Sequence, residues 1–578
     1  MMGMFTPKLK VKPIRAVGSY GAAGHGAPVS VEVGGPGRFL LVISACALCF
    51  AVIGLRLADI ALVEKGAGNA HIAVADSRRY ERPDLTDRNG NILAKDLYSP
   101  SLYADAGQII DVDEVVEKLS PILTELTPDD LDRKLRRKSA FIWLKRGLTP
   151  KQQSKIHALG LPGLGFVREK QRVYPNGRIA AHVLGHVNID NRGIAGIEKY
   201  IDRIGLSNNK ELTPLALSID LRAQHVVSKE LAAALITYKA KAATAVVLDV
   251  HTGEVLALSS LPDYDPNAPS DALKPDNLNR MTAGVYELGS VFKTFTVAMA
   301  LDEGVATLKS RYDARSPIRK AGFKIDDFHA QRRVLTVPEV FIYSSNIGAA
   351  KMAEASGIKT QKAFLRKLGL LDRMQTELPE SRNPLYPKDW KPLNMLTIAF
   401  GHGLAVSPLQ AAAAAAALVN GGKMITPTFL CRSEARALFS ARQVISPETS
   451  AKMRYLMRLN VTKGTARKAD VPGFRVGGKT GTAEKPTRYG YSKNKLLTSF
   501  MGTFPADAPR YLILVMLDEP KGIPETHGYA TSGWNAAPVT ARIVKRIAPM
   551  LGVLPAEDGE QAGAGAGTVL ANFKQHPG

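Results

Sequence analysis

From Phe39 to Leu55 the chain runs FLLVISACALCFAVIGL without a charge, bounded by Arg38 and Arg56. Arg56 can snorkel, so Leu57 and Ala58 lengthen the apolar stretch to 39–58, and the pattern predicts one transmembrane helix. The preceding segment carries Lys8, Lys10, Lys12, Arg15 and Arg38 against Glu32. The positive-inside rule then leaves the N-terminus in the cytoplasm and sends everything after about Leu57 across the membrane. A cleaved signal peptide would have a shorter apolar region closing on small residues. Ile43-Ser44-Ala45-Cys46 imitates a lipoprotein processing box, yet the apolar run continues well past Cys46.

Elsewhere the periodicities change along the chain. Residues 1–38 show neither helical nor alternating period, which predicts a flexible cytoplasmic tail. Residues 59–215 mix short strand-like and amphipathic helical runs and read as a non-catalytic spacer domain. Within it, Thr127-Pro128-Asp129-Asp130 has the cap, the first-turn proline and the acids of a helix start. Arg133, Lys134, Arg136, Arg137 and Lys138 follow, with Lys145 and Arg146 beyond. They make either a solvated helix face or a docking surface for an anionic wall polymer or a partner protein.

Near Leu217-Ser218-Ile219-Asp220 the pattern changes again. A helix is predicted from Leu221 to Leu235, then β-rich runs Ala243–Asp249 and Glu254–Ser260 joined through His251-Thr252-Gly253. Arg475–Gly478, Leu496–Phe504 and Tyr511–Leu517 supply further strands, and Asn535–Met550 a closing helix. Ala411 to Ala417 stand between Pro408 and Asn420-Gly421-Gly422, the signature of a capped helix of small residues packed in a core. Residues 216–553 thus read as an α+β domain with an antiparallel sheet flanked by helices, and 554–578 as a disordered tail.

Length suggests about three or four domains. The apolar share of 45% and charged share of 22% are ordinary for globular protein. A net charge of +23 suits a nucleic-acid binder or a protein beside an anionic polymer or membrane. Cys46 and Cys49 lie in the apolar run and Cys431 alone beyond it, so no disulfide forms in the exported part. No cofactor and no metal cluster is expected.

Chemistry is carried by three segments. Ser290-Val291-Phe292-Lys293 places a hydroxyl and an amine one helical turn apart, so Lys293 can take the proton as Ser290 attacks an acyl carbon. Gly289 permits close backbone approach, and a helix start there aims free N–H groups at the reaction centre. Lys293 must lose proton affinity to act as a base at neutral pH, and Lys479 is the second cation that would lower it. Ser344-Ser345-Asn346 offers a hydroxyl, Ser344, to relay a proton and an amide, Asn346, to hold substrate backbone. Lys479-Thr480-Gly481-Thr482 follows a β-type run and should lie on an edge strand facing the cleft. Gly481 would admit substrate backbone, the Thr480 and Thr482 hydroxyls would bind a terminal carboxylate, and the Thr482 and Ser290 N–H groups would form an oxyanion hole. All three in this order have the pattern of penicillin-interactive serine acyltransferases.

On these motifs the sequence resembles the class B penicillin-binding proteins, most of all the FtsI-type division-specific transpeptidases. The resemblance spans roughly residues 39–552. It includes Asp87-Arg88-Asn89-Gly90, Arg172-Val173-Tyr174-Pro175 and Gly193-Ile194-Ala195-Gly196-Ile197-Glu198 in the spacer, then Gly253-Glu254-Val255-Leu256-Ala257, Phe400-Gly401-His402-Gly403 and Ser407-Pro408-Leu409-Gln410. Leu288 stands where many members have proline. The resemblance implies a penicillin-binding, serine β-lactamase-like transpeptidase fold behind a dimerisation-type pedestal. It implies Ser290 as acyl-enzyme nucleophile, Lys293 as base, Ser344 and Asn346 as second motif and Lys479 to Thr482 as third.

The implied reaction cross-links peptidoglycan pentapeptide stems during septal wall synthesis at the inner membrane and is inhibited by β-lactams. Membrane lipid, division proteins and a separate glycosyltransferase polymerase are the implied partners, since no glycosyltransferase domain fits before residue 217. Nucleic acid is not expected, because most of the charge lies outside the cytoplasm. Three alternatives stay open: a D,D-carboxypeptidase or β-lactamase using water, an elongation-specific transpeptidase, and a division-complex scaffold.

Overall fold

The computed structural model describes residues 40–41, 43–58, 81–137, 139–208, 213–488 and 490–556. The expected tail of residues 1–38, Phe39 and Val42 of the apolar run, residues 59–80 of the spacer, Lys138 of the basic segment and residues 557–578 of the C-terminal tail lie outside the described residues. The chain divides into two compact units, 1–73 and 74–578. In the first, residues 40–41 and 43–58 are helical, with Leu41, Phe50 and Leu55 exposed. Among the described residues no helix is long and apolar enough to cross a membrane.

The second unit begins with a five-stranded sheet. Its strands are β1 (Leu85–Thr86), β2 (Ile92–Ala104), β3 (Ile142–Lys145), β4 (Leu164–Val173) and β5 (Leu215–Ala216), in the order β3-β2-β1-β5 with β4 also paired to β2. Two helices, α1 (Val112–Leu119) and α2 (Pro128–Leu135), turn Val115, Leu119, Leu131 and Leu135 onto Leu102, Ala104, Ile142 and Leu144. Thr127 caps α2 as its sequence predicts, its side chain accepting from Asp130 N. The helix ends at Leu135, however, before the basic run does. Arg136 pairs with Asp113 and Asp132, Arg133 with Asp130, Lys145 with Glu125, and Arg146 with Glu169 and Asp190. Much of that positive charge is therefore balanced locally, which fits the solvated face better than an open docking surface.

The three spacer signatures act as joints. Asp87 accepts from the N–H groups of Asn89 and Asn91 at 2.8 Å and of Leu221 at 3.1 Å, while Arg88 reaches Glu254 at 3.3 Å. A tight turn is thereby tied to the start of the catalytic half. Arg82 and Arg172 each lie 2.7 Å from Glu198, and all three side chains are fully buried. Gly185, at φ +74°, has no room for a Cβ, which would fall 1.8 Å from Ala195 O, so the backbone of the third signature packs directly on that of the preceding turn. That signature continues into α3 (Gly196–Arg203), whose first N–H donates to Glu380 Oε1 at 3.2 Å.

The catalytic half is built on α4 (Leu221–Thr237), β6 (Ala242–Asp249), β7 (Val255–Leu261), α5 (Lys293–Asp302), α6 (Asn346–Ser356), α7 (Pro408–Val419), α8 (Pro447–Lys463), β8 (Gly477–Thr487), β9 (Gly490–Phe504), β10 (Tyr511–Asp518) and α9 (Ala536–Met550). Its sheet runs β8-β9-β10-β6-β7, every pair antiparallel. Both faces are covered. In β10, Ile513, Val515 and Leu517 join the core of α4 and α9, while Leu512, Leu514 and Met516 join the core of α5 and α7. This is the period of two expected of a strand with helices on either side.

All twelve residues of α7 are buried, with Ser407 capping it by accepting from Gln410 N. Its alanines allow close packing because they bring no bulk. The strand and helix limits fall within a few residues of those predicted, apart from β9, which begins six residues early at Gly490, and β8, which begins at Gly477 and carries the third motif inside it instead of after it. Ala556 N donates to Gly473 O at 2.9 Å, so the chain stays hydrogen-bonded past the expected start of the tail.

Replacing Glu198 by alanine leaves two guanidinium groups buried without their shared carboxylate. The expected cost is about 3–5 kcal/mol in urea denaturation. A loss below about 1 kcal/mol, the scale of an exposed pair, would contradict the assigned role of this cluster.

Candidate active site

Ser290 lies in a 3₁₀ turn, Gly289–Phe292, that leads into α5 at Lys293. The expected α-helical start is thus a tighter turn, and the difference has a chemical effect. In a 3₁₀ turn, side chains three apart eclipse one another. Lys293 Nζ stands 3.0 Å from Ser290 Oγ, with Lys293 1% exposed and Ser290 half-buried at the open side.

Ser344 occupies a left-handed backbone conformation at φ +57°. It is held there by Lys293, whose amine donates to Ser344 O at 2.5 Å and lies 3.0 Å from its Oγ. Ser345 caps α6 by accepting from Gly348 N at 3.0 Å, and its hydroxyl donates to Asp327 Oδ2 at 2.7 Å. Asn346 Nδ2 donates to Asp326 O at 2.9 Å, which orients the amide.

The third motif lies on β8, at the edge of the sheet. Lys479, completely buried, donates to Ser344 Oγ at 2.9 Å and to Thr480 O at 3.3 Å. One hydroxyl thus sits between two lysine amines, and the three motifs meet in one group. The two threonines differ. Thr480 is buried and shares a hydrogen bond of 2.7 Å with Thr465, so its hydroxyl is already engaged. Thr482 is half-buried and accepts from Ser532 N at 3.2 Å, which leaves its own proton to donate.

Burial is the largest influence on both amines. It drives the proton affinity of Lys293 well below that of an ordinary lysine, the charge of Lys479 lowers it further, and Asp327 opposes both. Lys479 is brought down to about 7 by burial. Lys293 can therefore be neutral at physiological pH while Lys479 still carries part of a charge.

Three glycines bring the segments together. A Cβ on Gly289 would lie 2.6 Å from Thr482 O, one on Gly401 2.0 Å from Gly289 O, and one on Gly481 2.5 Å from Leu288 O. No real Cβ approaches so closely. The nucleophile turn is thus gripped between β8 and the Phe400-Gly401-His402-Gly403 segment, and Gly481 faces that turn as well as any substrate.

The sequence alone did not assign site roles to Asp327, His402, Glu287 or Tyr491. Glu287 accepts from Gly403 N at 2.9 Å and from the Tyr491 hydroxyl at 3.0 Å, and burial raises its carboxyl. The His402 ring packs against Phe400 and Tyr491, and burial together with the field of Lys293 lowers it to about 4, so it is neutral. His402 carried a signal in its glycine-flanked segment. Asp327 carried none, because its contacts depend on how the loop before α6 folds.

Comparison with known proteins agrees with this architecture. The family model of the penicillin binding protein transpeptidase domain matches residues 243–545, and that of the penicillin-binding protein dimerisation domain residues 79–207. The chain is 41% identical over 528 residues to the probable peptidoglycan D,D-transpeptidase FtsI of Caulobacter vibrioides, covering 89% of each chain. It is 30% identical to the peptidoglycan D,D-transpeptidase FtsI of Escherichia coli, over 82% of this chain and 84% of that one. Among solved structures, penicillin binding protein 3 of Mycobacterium tuberculosis complexed with aztreonam superposes with a TM-score of 0.64 at 22% identity, over 84% of this chain and 99% of that one.

Gly401→Ala forces a backbone displacement beneath Ser290. Displacements of this size in a reacting group cost about 100-fold in rate, so acylation of Ser290 by a β-lactam is expected to slow by that order. Stopped-flow acylation with an intact thermal transition is the check; wild-type acylation would refute the proposed grip.

Proposed function

The chain belongs to the class B penicillin-binding proteins, with their transpeptidase and dimerisation domains, and we propose from that premise how its own residues carry out the reaction. It is a serine-type peptidoglycan D,D-transpeptidase that cross-links stem peptides through an acyl-enzyme, and its similarity to FtsI enzymes supports a septal role. The observation that carries the residue assignment is the chain Ser290–Lys293–Ser344–Lys479, linked by contacts of 3.0, 3.0 and 2.9 Å.

Ser290 Oγ attacks the carbonyl carbon of the penultimate D-alanine, and its proton passes to the neutral Lys293 amine. As the peptide C–N bond breaks, the leaving D-alanine nitrogen takes up a proton through Ser344, which Lys293 resupplies. An amine of a neighbouring stem then attacks the ester carbonyl. It gives its proton to Lys293, and Ser290 regains its own as the ester C–O bond breaks. Lys479 and the Thr482 hydroxyl hold the donor carboxylate, Asn346 holds its backbone, and the Ser290 and Thr482 N–H groups receive the developing oxyanion. Gly481 allows β8 to lie against the nucleophile turn, and Thr480 fixes that strand through Thr465. β-Lactams enter as donor mimics and remain as the acyl ester.

The wider setting follows the same proposal. Residues 39–58 form a single membrane span with the N-terminus in the cytoplasm, as the uncharged run and the basic segment before it favour. Residues 59–215 form the pedestal and 216–553 the catalytic domain on the far side of the inner membrane. A separate glycosyltransferase polymerase and division proteins are the partners this arrangement needs.

Two measurements test the reading. Fluorescent penicillin should modify Ser290 in the purified protein, Ser290→Ala should take up no label, and a synthetic donor stem with a labelled amine should yield the transfer product. Hydrolysis alone would reject transfer. The acylation rate should also fall on the acid side, where the depressed Lys293 amine finally takes up a proton and the base is lost. A rate with no acid limb at any pH at which the protein stays folded would remove Lys293 from that role.

A further inference from the structure

Asp327 is engaged on both carboxylate oxygens by the second motif. Oδ2 accepts from the Ser345 hydroxyl at 2.7 Å and Oδ1 from Ile347 N at 2.9 Å. These two contacts straddle Asn346 and anchor the turn that presents Ser344 to both lysines. Its neighbour Asp326 is neutralised by Lys324 and Arg332 at 3.1 and 3.2 Å, whereas Asp327 forms no ion pair among the described residues. Its carboxylate therefore sits close to the acyl-transfer centre without a cation of its own.

We propose that Asp327 is a positioning residue for this transpeptidase, clamping the Ser345–Ile347 turn so that Ser344 stays between the two lysine amines. The idea rests on the functional reading above and adds a residue outside its three motifs. The groups that face Lys293 are few. β8 contributes Lys479 and the segment after Ala399 contributes neutral His402, whereas Glu287, in the turn before Ser290, is bound by Tyr491 and Gly403. The charges of α6 are directed elsewhere, Lys351 to Asp313 O at 2.7 Å and Glu354 to Lys320 at 2.8 Å. Asp327 is the carboxylate that acts on Lys293, and it favours the ammonium form.

The sign follows from that. Removing the charge weakens proton binding at Lys293, so the neutral amine persists to lower pH. Removing the clamp loosens Ser344 and lowers the maximal rate. Neutral variants should therefore acylate more slowly at their plateau yet lose rate at a lower pH than the wild type, a combination that a purely structural lesion does not produce.

The test is the pH profile of acylation by fluorescent penicillin, from about pH 5 to 9, for the full-length protein and for Asp327→Asn, Asp327→Ser and Asp327→Glu. Asn and Ser are expected to move the acid limb to lower pH, the direction that follows from losing a charge that favours the ammonium form. Glu should restore it. An acid limb unmoved in both neutral variants, whatever their plateau, would overturn the proposal; two neutral variants are included so that one misfolded protein does not decide it. Wild-type protein that takes no label at Ser290 would instead sink the transpeptidase reading itself.

Discussion

The active site depends on two lysine amines buried around one serine hydroxyl. Neither Lys293 nor Lys479 forms an ion pair among the described residues, and neither side chain has meaningful exposure. A buried ammonium without a counter-ion is unfavourable, and the group responds by giving up its proton more readily. Here that response supplies the chemistry. In the proposed mechanism an amine that would be inert as a base in water becomes a proton acceptor, and its neighbour retains enough charge to attract an anionic peptide terminus.

Burial of that kind requires walls that come very close. They are made by bare backbone: Gly289 against the carbonyl of Thr482, Gly401 against Gly289, and Gly481 against Leu288. The same device recurs in the pedestal, where Gly185 abuts Ala195. Around these contacts the sheet is filled on both faces, and the fully buried α7 lets the helical layer sit close to the strands. The Asp87 turn and the contact of Gly196 N with Glu380 tie the two halves of this unit together.

Much of this was legible in the residue pattern. The short, largely apolar β-rich runs of β6, β7 and β10 and the small-residue run of α7 mark local structure because each reflects burial that the tertiary fold keeps. The motif residues Ser290, Lys293, Ser344 and Lys479 were readable because acyl transfer restricts the side chains that can serve. Asp327 was hidden, since a carboxylate in a polar loop looks the same in sequence whether it faces solvent or a serine. The 3₁₀ turn at Ser290 was hidden too, because the spacing of Ser and Lys fits either helix type. The basic run after Asp132 left two readings open because its partners Asp113, Glu125 and Glu169 are not its neighbours along the chain.

Ser344 holds a backbone angle that L-residues adopt at some cost, on the order of 1–3 kcal/mol, and it is kept there by bonds from the lysine amines. Lys293 is consequently a latch as well as the proposed base. Truncating it removes a proton acceptor and at the same time frees a loop to relax, so the rate lost in such a variant sums two separate contributions. An added alkylamine can replace only the first of them, and the activity it fails to restore measures the second.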